Sequence, residues 1–473
     1  MPKSTRVGIT TYWYALAIFI LCASASLRLF APLFAYGRDI ASMPVLPFVF
    51  FYVAVAGIVA ISVPLLAEKT PQIATTRLLY LILFVGAAAR LMQLGAPTIL
   101  EDDFYRYLWD GAVVAAGENP FLYAPFDVEF GDAGGAVLAE LATQAGGVLD
   151  RINYPEYRTV YPPVAQAVFA LSHYIAPFDL DGWRVVLFLM EVGCVIAILL
   201  ILPRYGRSPL WIAVYWWNPL VIKEVANSAH MEPALMLPML VAAVLVLRRQ
   251  GVWASLFLTV AAGVKIWPLL TLATIWRQYL VRPKLLMLSG LMVAVGISVF
   301  LWPIYRSGLD ETSGFVAFAQ NWRASSIMII LTEWLSALVP SEGLPAGALP
   351  RLMLGMALAI TIFMICFKRA YGPRTTMYRM FLIAVAIYLL SPSQTPWYFL
   401  WIVPFLCIFP ARGLMLAGIL VPLHYLFFYL DPRGLGEVYR YGVVWVIWLP
   451  VWALLAYDYV FGGPKPTAKI TRA

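Results

Sequence analysis

Charge is scarce in this chain. Only 12% of its 473 residues are Asp, Glu, Lys or Arg, against about a quarter in an ordinary soluble domain. With 62% hydrophobic residues and a mean hydropathy of +0.81, that scarcity excludes a soluble globular enzyme, a disordered chain and a fibrous repeat. It leaves a polytopic membrane protein. Cysteine is also rare: Cys22, Cys194, Cys366 and Cys407 fall singly in apolar runs, without metal-ligand spacing. They read as small buried hydrophobes. There are three histidines. No GxxxxGK[ST] loop occurs, so the chain carries no ATPase motor of its own, and no 20–50-residue repeat is visible. The net charge of +8 is no nucleic-acid footprint, and no nucleic-acid partner is expected.

What is abundant is long apolar runs. A spanning helix needs about 20 such residues. Candidates lie at 12–34, 45–66, 77–95, 183–202, 209–223, 232–247, 285–304, 350–367, 376–391, 396–410, 413–430 and 442–459. The run 252–276 is interrupted by Gly263, Lys265 and Pro268 and reads as two short helices meeting at a break. Segments 161–177 and 326–339 are short and read as interfacial or re-entrant. The expected fold is an all-α polytopic bundle of about 12–14 transmembrane helices, forming one integral-membrane domain over 1–473. Lys3 and Arg6 precede the first run, which continues past the small residues at 23–25 and reads as a retained helix rather than a cleaved signal.

Orientation follows from basic residues in short loops. With the N-terminus in the cytoplasm, Lys69, Arg77, Arg204, Arg207, Arg248, Arg249, Arg277, Arg282, Lys284, Lys368, Arg369, Arg374, Arg412, Lys465, Lys469 and Arg472 join Lys3 and Arg6 inside, which makes 18 of the 33 basic residues. The segment 96–160 then lies outside. It holds 11 of the 25 acids: Glu101, Asp102, Asp103, Asp110, Glu118, Asp127, Glu129, Asp132, Glu140, Asp150 and Glu156. A second outer segment runs over 305–349. This pattern fits a multi-pass protein of a bacterial inner (plasma) membrane with its site on the periplasmic face.

The most informative stretch is Glu101-Asp102-Asp103-Phe104-Tyr105-Arg106-Tyr107-Leu108-Trp109-Asp110-Gly111. Three adjacent acids repel one another. At a site they set one carboxylate to accept a proton and another to orient a hydroxyl. Asp103 and Tyr107, like Asp102 and Arg106, share a helix face. The competing reading is acids stabilising the positive end of a helix. Asn119-Pro120-Phe121 and Tyr161-Pro162-Pro163 punctuate the chain. His230 and Glu232, in Asn227-Ser228-Ala229-His230-Met231-Glu232-Pro233, lie in an outer connection. Lys265, Arg28 and Arg90 are lone cations at membrane depth, costly without a partner unless they reach the headgroups. Arg323, in Asn321-Trp322-Arg323, and Gln394 with Trp397 add polar and aromatic groups near outer ends. His173 and His424 read as structural.

Together, EDDFYRYLWDG, AAGENPF, YAP and YPPVAQAVFAL resemble polyprenol-phosphate-dependent mannosyltransferases of the GT-C superfamily, and in particular bacterial glycosyltransferase family 87. The mannosyltransferase of GPI-anchor synthesis is similar more distantly. NSAHMEP resembles the family's His-Asn-Asp element, AAGVKIWPLL its lysine-containing broken helix, and PWYFLW its Pro-Trp-Tyr element, over residues 77–410. The resemblance implies transfer of a hexose, mannose foremost, from a polyprenyl-phosphate donor to a lipid or glycan acceptor at the outer face, in one inverting displacement. It implies Asp102 as general base, with Asp103 orienting or sharing that role, and Lys265 and Arg323 on the departing phosphate. His230 and Glu232 then line the sugar, with Glu101, Arg106, Asp110, Tyr161, Gln394 and Trp397 also lining the substrate. Met231 and Glu232 stand where the family usually has Asn and Asp, and Glu101 precedes the Asp pair, so the resemblance does not fix the sugar or acceptor. No cofactor is implied; adjacent Asp residues can hold a divalent ion, and that point stays open. The competing classes are a transporter or flippase of lipid-linked glycans, a polysaccharide polymerase or ligase, and a non-catalytic assembly partner.

Overall fold

The structure is a computed structural model that describes residues 3–131, 133–339, 344–345, 347–367 and 372–461. Asp132, Lys368, Arg369, Lys465, Lys469 and Arg472, named above, lie outside the described residues. The protein is 77% helical. Among the described residues, extended backbone pairs only at an isolated bridge between Ala324 and Ser393.

The all-α polytopic expectation holds. Among the described residues, eight helices are long and apolar enough to cross a membrane: Gly8–Phe34, Val45–Lys69, Gln72–Leu91, Leu180–Tyr205, Pro283–Ser307, Ala348–Phe367, Arg412–Arg433 and Gly436–Phe461. At 1.5 Å per residue, about 20 residues match a hydrocarbon core of about 30 Å. Each coincides with one of the apolar runs, and the protein is a multi-pass membrane protein. The four other apolar runs do not each make one long helix. The run 209–223 is cut at Asn218-Pro219 into Pro209–Ile212, Ala213–Trp216, Pro219–Val221 and a π-helical turn Ile222–Asn227. The run 396–410 starts at Pro396 and restarts near Pro404, giving Pro396–Phe399 and Val403–Leu406. Proline lacks the donor an unbroken helix needs. Glu232–Leu247 and Pro373–Leu389 are continuous but only 16 and 17 residues long.

The expected break in 252–276 is present. Gly251–Ala262 ends at Gly263, and the chain resumes as Trp267–Thr271 and Leu272–Tyr279. Segments 161–177 and 326–339 form only Pro163–Ile175 and Ile327–Ser336. Cys194, Cys366 and Cys407 are buried as expected, but Cys22 is exposed on Lys3–Phe30.

The described residues fall into two compact units. The first lies within Met1–Leu100, Val192–Ser228 and Gln394–Ala473, the second within Glu101–Glu191 and Ala229–Ser393. In the first, Lys3–Phe30 packs on Thr75–Leu91, and Val45–Lys69 packs on Arg412–Leu420, which in turn packs on Val444–Phe461. Gly86 lets the Trp216 ring approach its backbone, where a Cβ would sit 2.1 Å from Trp216 Cδ1. The two lone cations find backbone partners. Arg90 is buried, donates to the carbonyls of Gly86 and Trp216, and lies 3.7 Å over the Trp216 ring. Arg28 donates to the carbonyls of Met92 and Leu94 at the end of Thr75–Leu91, where a helix favours positive charge. Asn227 accepts from the Ile99 N–H and donates to the Pro97 carbonyl.

In the second unit, Asp103–Ala115 lies against Pro163–Ile175. Their approach depends on Gly111, because a Cβ there would stand 2.5 Å from the Phe169 carbonyl oxygen. The rest of the first large loop folds on the other side of the same helix. Trp109, Ala112 and Val113 join Val128, Leu138, Leu141, Ala145, Leu149 and Ile152 in a local core. Glu232–Leu247 and Gly251–Ala262 form a tightly packed pair, and Gly251–Ala262 also packs on Pro283–Ser307.

Candidate functional site

The site is built from four chain segments of the second unit, around Asp102, Asn153, His230 and Lys265. Asp102 stands at the N-cap of Asp103–Ala115, the position where a carboxylate ordinarily accepts from the first helical N–H groups. Here it makes no such bond. Its Oδ1 instead accepts from Asn153 Nδ2 at 2.8 Å, and the same nitrogen donates to Asp103 Oδ1 at 3.1 Å. The acids therefore do more than cap a helix. One turn on, the Tyr107 hydroxyl donates to Asp103 Oδ2 at 3.5 Å, so the expected shared face is present. The Tyr107 ring stacks on Phe169 at 4.7 Å and meets Tyr161 and Trp183 edge-on.

Another segment brings His230. Its Nε2 lies 3.4 Å from Glu101 Oε2 and its Nδ1 lies 3.8 Å from Asp103 Oδ2. The imidazole is fully buried, while the Glu101 and Asp103 side chains retain 8% and 24% exposure. The preceding residue, Ala229, has φ +61°, a left-handed backbone that costs a non-glycine residue about 1–3 kcal/mol. The Trp183 indole holds it there by donating to the Ala229 carbonyl at 2.8 Å.

Lys265 sits in the break after Gly251–Ala262. The freed Gly263 carbonyl accepts from the Val164 and Ala165 N–H groups at 2.8 and 3.2 Å, which satisfies the start of Pro163–Ile175. Lys265 Nζ donates to Glu232 Oε1, so a buried carboxylate of the same unit supplies the anion that this lysine needs. The other Glu232 oxygen is buried and accepts no hydrogen bond from the protein.

Burial and like charge raise the carboxylates. Asp102 is pushed up to about 7, first by burial, then by Asp103 and Glu101, with the Asn153 hydrogen bond acting against them. Asp103 is also raised by burial, opposed chiefly by His230. A base with its pKa near neutral is well matched to proton transfer at physiological pH. Carboxylates and an imidazole are donors that a divalent cation accepts.

Glu101, Asp102, Asp103, His230, Glu232 and Lys265 thus belong to one unit and interact there. Other expected residues do different work. Arg106 is buried and donates to the Tyr154 and Tyr157 carbonyls at 3.1 and 2.9 Å, so it clasps the loop rather than pairing with Asp102. Asp110 is buried and accepts from Gln166 at 3.0 Å, tying the two packed helices together. Tyr161 packs on Tyr107 and Phe169. Arg323 is 55% exposed and forms an ion pair with Glu333 at 2.8 Å. It is the neighbouring Trp322 that reaches the loop, its ring edge-on to Tyr154 at 4.9 Å. Gln394 and Trp397 belong to the first unit, where Trp397 meets His424 edge-on.

Two features escaped the sequence. Asn153 lies about 50 residues from the acids it bridges, with no signal of its own. In the first unit, Lys223 and Glu224 are fully buried on the π-helical turn, with Glu224 accepting from the Tyr425 and Tyr52 hydroxyls at 3.0 and 3.3 Å. An adjacent Lys-Glu pair ending an apolar run was legible there. No family model matches the chain, and neither a curated protein nor a solved structure is significantly similar to it.

Proposed function

We propose that the protein is a membrane glycosyltransferase that moves a hexose, mannose foremost, from a polyprenyl-phosphate carrier to a lipid or glycan acceptor at the outer face of the plasma membrane. The observation that carries this reading is Asp102, a half-buried carboxylate raised to about 7 that shares the Asn153 donor with Asp103, which itself lies beside the buried His230 imidazole. In the reaction, the acceptor hydroxyl gives its proton to Asp102 and its oxygen bonds to the anomeric carbon. The bond from that carbon to the phosphate oxygen breaks, and the carrier phosphate leaves with the electron pair. Asp103, held by Tyr107 and facing His230, orients the hydroxyl. Lys265, paired with Glu232, is the cation assigned to offset charge developing on the departing phosphate. The sequence resemblance to GT-C enzymes supports the same assignment, and the basic residues of the short loops support the outer placement.

The Lys223–Glu224 pair favours a second reading, a transporter or flippase of lipid-linked glycans, because charges buried in a membrane protein often mark a transport path. One experiment separates the two. The purified full-length protein in lipid receives radiolabelled polyprenyl-phosphate-mannose and a cell-envelope lipid extract, and a panel of other lipid-linked sugars follows. Label in a new product that disappears with Asp102→Asn supports transfer. Label that changes leaflet chemically unaltered supports the transporter.

A further inference from the structure

We infer that Asn153 is a positioning residue of the acidic site, its single carboxamide holding the Asp102 and Asp103 carboxylates together as one proton-accepting unit. The chemical purpose rests on the transferase reading; the geometry stands without it. An amide nitrogen carries two hydrogens, and Asn153 Nδ2 lies 2.8 Å from Asp102 Oδ1 and 3.1 Å from Asp103 Oδ1. Each carboxylate therefore receives one donor. Three adjacent acids otherwise push one another apart. A neutral donor offsets that repulsion without cancelling the charge, whereas a lysine or arginine in its place would form an ion pair and make Asp102 a weak base.

The surroundings of Asn153 fix it. Ile152 on one side belongs to the local core of the loop. Tyr154 on the other has φ +51°, its carbonyl accepts from Arg106, and its ring meets Trp322. The Pro155 carbonyl then accepts from the Phe126 N–H at 3.0 Å. Neighbours locked on both sides are what a positioning residue requires. This also gives Arg106 and Trp322 a purpose: both hold the loop that carries Asn153. The ionisable groups around the carboxylate pair are Glu101, Arg106, Tyr107, Tyr154, His230 and Lys265.

The test is an infrared titration of isotope-labelled aspartate in the full-length protein in lipid nanodiscs, run beside the pH–rate profile of sugar transfer. Asn153→Ala is expected to move the Asp102 titration upward from about 7 by about one pH unit, the effect of losing a hydrogen bond to a charged group. The acidic limb of the rate profile moves with it. If the alanine variant does not fold, Asn153→Ser retains one donor and is expected to shift the titration by about half as much. A folded variant whose titration and acidic limb both stay in place overturns the inference. A titration that moves in a protein showing no transfer upholds the positioning role and refutes the transferase reading instead, so the two failures are distinguishable.

Discussion

Replacing Asp102 by Asn should inactivate the protein and stabilise it at the same time. Asn retains an oxygen that can accept from Asn153 but cannot take a proton. Loss of a general base costs about 10²–10⁴ in rate. The stability effect follows from linkage. Asp102 is displaced from its ordinary 3.8 to about 7 in the folded protein. Below pH 4 both folded and unfolded chains hold the proton, and the group has no effect. Between pH 4 and 7 the unfolded chain ionises while the folded one does not, so stability falls as pH rises. Above pH 7 the full cost is present. At about 1.36 kcal/mol per pH unit the ceiling is ~4 kcal/mol, and the partial exposure of Asp102 brings our expectation to ~2 kcal/mol. The wild-type transfer rate should fall about tenfold per pH unit below pH 7. Thermal unfolding in nanodiscs at pH 5 and pH 8, read by tryptophan fluorescence, measures the first effect, and the rate profile measures the second. A wild-type rate that is flat from pH 5 to 8, or an Asn variant less stable than wild type at pH 8, refutes the reasoning.

Three further outcomes are expected. Lys265→Ala leaves Glu232 buried without its cation and should cost about 3–5 kcal/mol of stability; adding Glu232→Gln should restore thermal stability but not transfer, and restored transfer would remove Lys265 from the mechanism. Gly111→Ala places a methyl 2.5 Å from the Phe169 carbonyl oxygen, so it should force the two helices apart and cost about 1–3 kcal/mol, seen as a lower Tm and lower yield. Glu129 is raised from 4.5 to about 7, by burial first and then by its hydrogen bond with Asp150, so it too subtracts stability as pH rises from 4.5 to about 7, with the full cost present above that; Glu129→Gln should raise Tm at pH 8 and leave it unchanged at pH 4.

Apolar length alone located every one of the eight spanning helices, because twenty hydrophobic residues admit few other structures in lipid. It did not separate continuous runs from those that prolines at 209, 219, 396 and 404 break into short turns, nor did it show that the runs at 232–247 and 376–391 fold as helices of only 16 and 17 residues. Within the site, Asp103 with Tyr107 follows from helical spacing; that Lys265 needs an anion follows from its depth, but that Glu232 supplies it does not. Arg106 did not go as spacing predicts, since two carbonyls of the loop outcompete a carboxylate one turn away. Trp322 rather than Arg323 approaches the loop, because Arg323 has an acid partner ten residues on. Asn153 was beyond reach: its two hydrogen bonds depend on how a fifty-residue loop folds back, and nothing local announces that.

The discontinuity of the first unit has a consequence for synthesis. Val45–Lys69 is made early, but the helix it packs on, Arg412–Leu420, emerges nearly 350 residues later. Until then the side that meets Arg412–Leu420 has only lipid or the insertion machinery for company, although Lys3–Phe30, Ala213–Trp216 and Pro219–Val221 already pack on the same helix. The second unit, whose segments end at Ser393, has all its partners on hand before that moment. Ribosomes stalled after residue 393 should therefore yield chains with a protease-resistant second unit and a first unit still open to cleavage, so the part that bears the carboxylates matures before the part that closes last.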